Sequence, residues 1–168
     1  MKFGKAKFRR ELSREDMERM SIPERYWGCT VEGVYAEGNP SPRMMVERYI
    51  KNMGKMFENG AGILFWGPNG AGKTGASVAI AKEYRRRGRP VFFMECASLK
   101  SAVVERRVFD DEQTVWNRCR SVDVLILDDL GKGTQDSVGF GERIFDDLIR
   151  HRNSNCRVTF VTTNKTRS

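Results

Sequence analysis

Residues 67–74 read Gly-Pro-Asn-Gly-Ala-Gly-Lys-Thr and fit the pattern G-x-x-x-x-G-K-[ST]. No other feature constrains the chain as much. Such a loop needs a strand before it and a helix after it. Ile63-Leu64-Phe65-Trp66 is a short apolar run suited to a buried strand, and residues 76–87 are rich in helix formers. Strand, glycine loop and helix together make a concave nest of backbone N–H groups at a helix N-terminus, where polyphosphate binds. Gly67 and Gly72 permit the tight turn and close backbone approach. The expected nucleotide contacts are Gly67, Pro68, Asn69, Gly70, Ala71, Gly72, Lys73 and Thr74, with Gly75 just behind them. Lys73 is expected to reach the β- and γ-phosphates of ATP, and Thr74 to place its hydroxyl on Mg²⁺.

A second motif supplies the other half of such a site. Val124-Leu125-Ile126-Leu127-Asp128-Asp129 is an apolar strand that ends in two carboxylates. Asp128 is the expected metal-sphere residue, acting through water, because Mg²⁺ keeps several of its waters. Asp129, one step further out, is placed to orient or deprotonate an attacking water. Thr162-Thr163-Asn164 closes a later strand with three polar side chains, and the Asn164 amide is a candidate contact for the γ-phosphate or that water.

Around these motifs the pattern alternates helix and strand. Helices are expected over 11–20, 43–57, 98–107, 112–120 and 142–152, and strands over 63–66, 91–94, 122–127 and 158–161. Met45, Tyr49, Met53 and Met56 would form one apolar helix face. Ser13 and Asp16 have the spacing of a capping box. The alternation predicts an α/β fold, a parallel sheet flanked by helices, with ligands at the carboxyl ends of the strands. Residues 1–40 read as a short basic and helical segment with a linker at Glu37–Pro42, and residues 41–168 as the ATPase core.

Composition bounds the partners. The 168 residues carry 30 lysines and arginines against 22 acids, a net charge of +8. The basic residues gather at 2–10, at 85–89 and around 150–157. Charge of this kind suits nucleic acid or a solvated surface alike. Residues 85–89 are candidates for contact with DNA phosphates. No aromatic residues interleave with them as a base-stacking track would require. No apolar run approaches the roughly 18–20 residues of a membrane span, and the basic start lacks the apolar stretch of a secretory signal, so a cytoplasmic location is expected. Cys29, Cys96, Cys119 and Cys156 form no C-x-x-C pair, and His151 stands alone, so neither zinc nor a disulfide is expected.

The chain resembles the AAA+ ATPases of the bacterial helicase-loader type (DnaC-like) and the related IstB-type transposition helpers. The resemblance rests on GPNGAGKT, on LILDDLG at 125–131, on RIFDDLIRHR at 143–152, on TFVTTN at 159–164 and on IPERYW at 22–27. It implies a nucleotide-driven P-loop NTPase that assembles on single-stranded DNA with a replicative ring helicase or a transposase, as a homo-oligomer on the DNA and without a membrane. It assigns Lys73 and Thr74 to phosphate and Mg²⁺, Asp128 to Mg²⁺, Asp129 to the catalytic carboxylate and Asn164 to the polar sensor. Arg152 falls on an arginine that would face a neighbouring subunit, and residues 22–26 would border the adenine. The family pattern continues beyond the sensor strand with an arginine-finger segment, a fifth strand and a helical lid. These are missing from the 168 residues, which implies slow turnover in isolation, a truncated product, and an open sheet edge at Ile63–Trp66. A non-catalytic nucleotide- or DNA-binding module is the reading of a different class. A small-molecule kinase matches the first motif only.

Overall fold

The computed structural model describes residues 11–34, 40–99, 115–131 and 140–164. Four strands form one sheet: β1 (Leu64–Trp66), β2 (Val91–Glu95), β3 (Val124–Leu130) and β4 (Val158–Thr163). Their order is β1-β4-β3-β2, and every pairing is parallel. Parallel neighbours need long crossovers, and helices supply them. Helix α4 (Lys73–Arg86) follows β1, α5 (Val115–Ser121) precedes β3, and α6 (Phe140–Ser154) precedes β4. Ahead of the sheet lie α1 (Arg14–Arg19), a 3₁₀ turn (Glu24–Tyr26), α2 (Pro40–Lys51) and α3 (Met53–Glu58).

Strand alternation sorts the core into two layers. On β3, Val124 and Ile126 face one layer and Leu125 and Leu127 the other, and all four are fully buried. A strand buried on both faces explains the continuous apolar run in the sequence. The first layer packs against α4, whose residues 76–84 are all buried. The second packs against α5 and α6 through Trp116, Cys119, Ile144 and Leu148. Cys96 and Cys119 lie in this second layer, where burial pushes both thiols up to about 12. They are protonated core residues at neutral pH.

The start of the chain is built into this core. Ser13 caps α1 through the expected box: its hydroxyl accepts from Asp16 N–H at 3.2 Å, and Asp16 accepts from Ser13 N–H at 3.1 Å. The other carboxylate oxygen of Asp16 takes Arg85 of α4 at 2.7 Å. Met17, Met20, Ile22 and Val34 join the α4 layer. Lys82 of α4 donates to the carbonyls of Trp27 and Cys29 at 2.6 and 2.8 Å, which fixes the turn over the helix.

Several expected boundaries move. The helix foreseen over 43–57 is two helices, broken at Asn52. The Asn52 amide side chain donates to the Arg48 carbonyl at 2.8 Å, a local bond that competes with helix propagation. The buried face uses Val46, Tyr49 and Met53, while Met45 is 45% exposed. Pro40 to Pro42, read as linker, is the first turn of α2, where proline is tolerated. Residues 35–39 of that linker, and the parts of the expected helices over 100–107 and 112–114, lie outside the described residues. β1 is the outer strand on its side, with Phe65 buried and Leu64 and Trp66 each 56% exposed.

The approach to β1 is tight. A Cβ on Gly62 would stand 1.7 Å from the Thr159 carbonyl oxygen of β4, whereas one on Gly28 would meet nothing within 4 Å. Gly62→Ala is expected to destabilise the fold by about 1–3 kcal/mol through overpacking. Gly28→Ala is expected to stay within about 0.5 kcal/mol of the parent. Urea unfolding of the two variants checks both.

Candidate nucleotide site

β1 ends at Trp66, and the backbone then turns through Gly67, Gly70 and Gly72, with φ of 144°, 78° and 73°. These positive values are cheap for glycine and strained for other residues. Gly72 is the left-handed N-cap of α4, so the loop delivers Lys73 and Thr74 at the positive end of a 14-residue helix.

Because β4 lies between β1 and β3, the loop meets the ends of both strands. The Lys73 ammonium donates to the Gly67 and Pro68 carbonyls at 2.9 and 2.7 Å and to Asn164 Oδ1 at 2.8 Å. The Thr74 hydroxyl donates to Asp128 Oδ1 at 2.7 Å. Asn164 Nδ2 donates to Asp129 Oδ1 at 3.0 Å. Residues far apart in the chain thus form one connected polar network. It borders a cavity of about 360 Å³ lined by Asn69 to Gly75 of the loop, Asp128, Asp129, Thr162, Asn164 and Tyr26.

The two aspartates differ because the ladder slips between them. Leu127 pairs with Val161, but Leu130 pairs with Thr163, so β3 spends one extra residue there. That irregularity is a bulge, and bulges re-aim side chains. Asp128 stays in the strand, 5% exposed. Asp129 is forced to φ 62°, a left-handed conformation uncommon outside glycine, asparagine and aspartate. The Thr162 hydroxyl spans the bulge. It donates to Asp128 Oδ1 at 2.7 Å and accepts from Asp129 N–H at 2.9 Å. Sequence reasoning singled out the Asn164 amide in this triplet and missed the part played by Thr162. A strand-end threonine opposite a double aspartate was the available signal.

A polyphosphate and a divalent cation fit these groups. Lys73 and the loop N–H groups supply positive ends, and the Thr74 hydroxyl with the Asp128 carboxylate is an all-oxygen donor set of the kind Mg²⁺ takes. Tyr26 reaches the cavity, whereas Ile22, also expected beside the adenine, is buried in the core.

Arg152 is a correction. It is fully buried, at the opposite end of the sheet from the cavity, and does not face a neighbouring subunit. Its guanidinium donates to the carbonyls of Cys119, Val122 and Val158 at 2.7, 2.8 and 2.6 Å and to the Thr159 hydroxyl at 2.8 Å. It ties the amino ends of β3 and β4 together through the carbonyls of Cys119 and Val122, which lead into β3, and of Val158, which opens β4. Burial works against its charge and lowers its pKa, and these acceptors offset that cost.

Comparison with known proteins agrees with this geometry. The family model for IstB-like ATP-binding proteins matches residues 45–167. The chain belongs to that family. It is also 27% identical over 150 residues to the replicative helicase loader DnaC of Escherichia coli, an alignment that covers 87% of this chain and 59% of the loader. The chain therefore spans about six-tenths of the length of that relative. A crystal structure of the DnaC helicase loader superposes with a TM-score of 0.74 at 25% identity, covering 87% of this chain and 82% of that one. The replication initiator DnaA bound to AMPPCP and single-stranded DNA shares the fold, with a TM-score of 0.66 at 21% identity over 86% of this chain and 43% of that one. The IstB-like chain therefore has the parallel sheet of an AAA+ P-loop NTPase. Among its described residues no helix is long and apolar enough to cross a membrane.

Arg152→Met removes the donor of three buried carbonyls and of the half-buried Thr159 hydroxyl. It is expected to cost about 3 kcal/mol or more, at the upper end for a broken buried polar network. Denaturant unfolding of the variant gives the number, and unchanged stability would refute the anchoring role.

Proposed function

We propose that this chain is the ATP-binding and ATP-hydrolysing core of a helicase loader that acts on single-stranded DNA during replication in the cytoplasm. The observation that carries the nucleotide reading is the network joining Lys73, Asn164 and Asp129 on one side to Thr74 and Asp128 on the other. The similarity to DnaC carries the choice of partner, a replicative ring helicase. The family match favours a second reading, a helper of a transposase, in which the same ATPase core serves a different partner.

The chain's own residues divide the work. Gly67, Pro68, Asn69, Gly70, Ala71, Gly72 and Gly75 shape the backbone that cradles phosphate, and Lys73 exchanges its loop carbonyls for phosphate oxygens. Thr74 and Asp128 would hold Mg²⁺, which would supply charge neutralisation on the triphosphate. Asp129 accepts a proton from the attacking water, and Asn164 holds that carboxylate in place. Tyr26 borders the base. Hydrolysis of this kind is mostly positioning and electrostatics. None of the described residues lining the cavity is an arginine. In a homo-oligomer on DNA, an arginine contributed by a neighbour would add to the rate.

Two variants test the site. Lys73→Ala is expected to weaken ATP binding at least tenfold by calorimetry, and unaltered affinity would sink the assignment. Asp129→Asn is expected to keep ATP affinity and lower phosphate release about 100-fold or more, in the range of a lost general base. Pull-down with a purified ring helicase or a transposase then separates the two partner readings.

A further inference from the structure

The nucleotide cavity occupies the carboxyl ends of the strands. The opposite ends are rich in arginine. Helix α4 runs away from the phosphate loop and leaves its last turn there. Arg86 and Arg87 share one carboxylate, Glu83, with contacts of 2.5 and 2.8 Å to its two oxygens. Arg89 and Arg157 likewise share Asp123, each at 3.6 Å on a different oxygen. Arg85 meets Asp16 at 2.7 Å. Among the ion pairs between described residues, these five arginines meet three carboxylates.

The arginines continue into a cleft of about 370 Å³ between α1, the end of α4 and the start of β2. Arg19, Arg85, Arg118 and Glu18 line it, over a floor that includes Val91 and Val122. The Arg118 guanidinium lies 4.0 Å from the centre of the Phe92 ring and donates to the Arg19 carbonyl. Arg19 reaches Glu15 on an exposed helix face, and Glu18 reaches Arg14.

We propose that this arginine edge binds the phosphodiester backbone of a single nucleic-acid strand, with the Arg19–Arg118 cleft as the anchor for phosphate. The inference rests on the DNA-linked reading above and adds where the strand sits. Arginine's planar fork matches phosphate oxygens bidentately, and the carbonyl bond and ring contact of Arg118 order its fork in advance. A strand brings one charge per nucleotide along its backbone. An acidic peptide would have to order each carboxylate side chain to meet the same forks. A ligand held here leaves the nucleotide cavity open.

The test is fluorescence anisotropy of a labelled oligothymidine strand with the full chain, titrated over a range of salt, for the parent and for Arg19→Gln/Arg118→Gln. The parent is expected to bind with steep salt dependence. The double variant is expected to lose about 1.4 from the magnitude of the log–log slope, at roughly 0.7 per phosphate contact on single strands, with ATP affinity unchanged. An unchanged slope would overturn this placement and leave the DNA-linked reading intact. A parent that fails to bind the strand, with and without ATP, would overturn both. Polyglutamate of equal charge displacing the strand from the parent at the same concentration as unlabelled DNA would identify an acidic protein as the occupant and overturn the phosphate assignment. Should the double variant fail to fold by circular dichroism, the exposed Arg19→Gln alone is expected to lose about 0.7 from the slope, and no loss would refute the anchor.

Discussion

Strand β4 is the element through which the site is assembled. It pairs with β1 on one side and β3 on the other, so the loop leaving β1 and the aspartates ending β3 converge on residues 162–164 at its carboxyl end. Asn164 reaches Lys73 in one direction and Asp129 in the other, while Thr162 binds across to β3. Any slip of β4 by one residue would turn these side chains to the other face of the sheet. Register is held at the far end by Arg152, which ties α6 and the start of β4 to the residues that lead into β3. A residue remote from the chemistry thus maintains the alignment on which the chemistry depends.

The bulge on β3 sets two carboxylates apart that the chain makes adjacent. Without it, successive side chains would point to opposite faces of the sheet. With it, both Asp128 and Asp129 border the cavity. Asp128 is a buried acid whose Oδ1 accepts two hydroxyl bonds, which meets the requirement that a buried charge have partners. Asp129 keeps a strained backbone and takes the Asn164 amide on its Oδ1. Strain of about 1–3 kcal/mol at such a position persists only where the surroundings impose it, and here the Thr162 hydroxyl on its N–H does so.

Much of this was legible in the residues. The phosphate loop, the double aspartate and the alternating apolar runs each follow from local chemistry, and local chemistry survives into the fold. The boundaries that moved did so for reasons a linear pattern does not carry. Asn52 breaks a helix because its side chain finds a nearby carbonyl. Val46 replaces Met45 because the packing against α4 selects one rotation of α2. Arg152 matched a family motif and gave no sign, in one dimension, that four acceptors surround it. The role of Thr162 depends on a register slip, which exists only once two strands are side by side.

Helix α4 joins the two ends of the molecule. Its 14 residues span about 21 Å at 1.5 Å per residue. Its first turn belongs to the phosphate loop, its middle is buried on all sides, and its last turn carries arginines. Close-packed interiors do not deform continuously, so such a helix shifts as a unit or not at all. It is a rigid rod with one end in each compartment. A change in the loop that carries α4 along also moves Arg85 and Arg86, and through Arg85 it pulls on Asp16 and the capped turn of α1. Mechanical communication between the two ends of the sheet then requires no hinge.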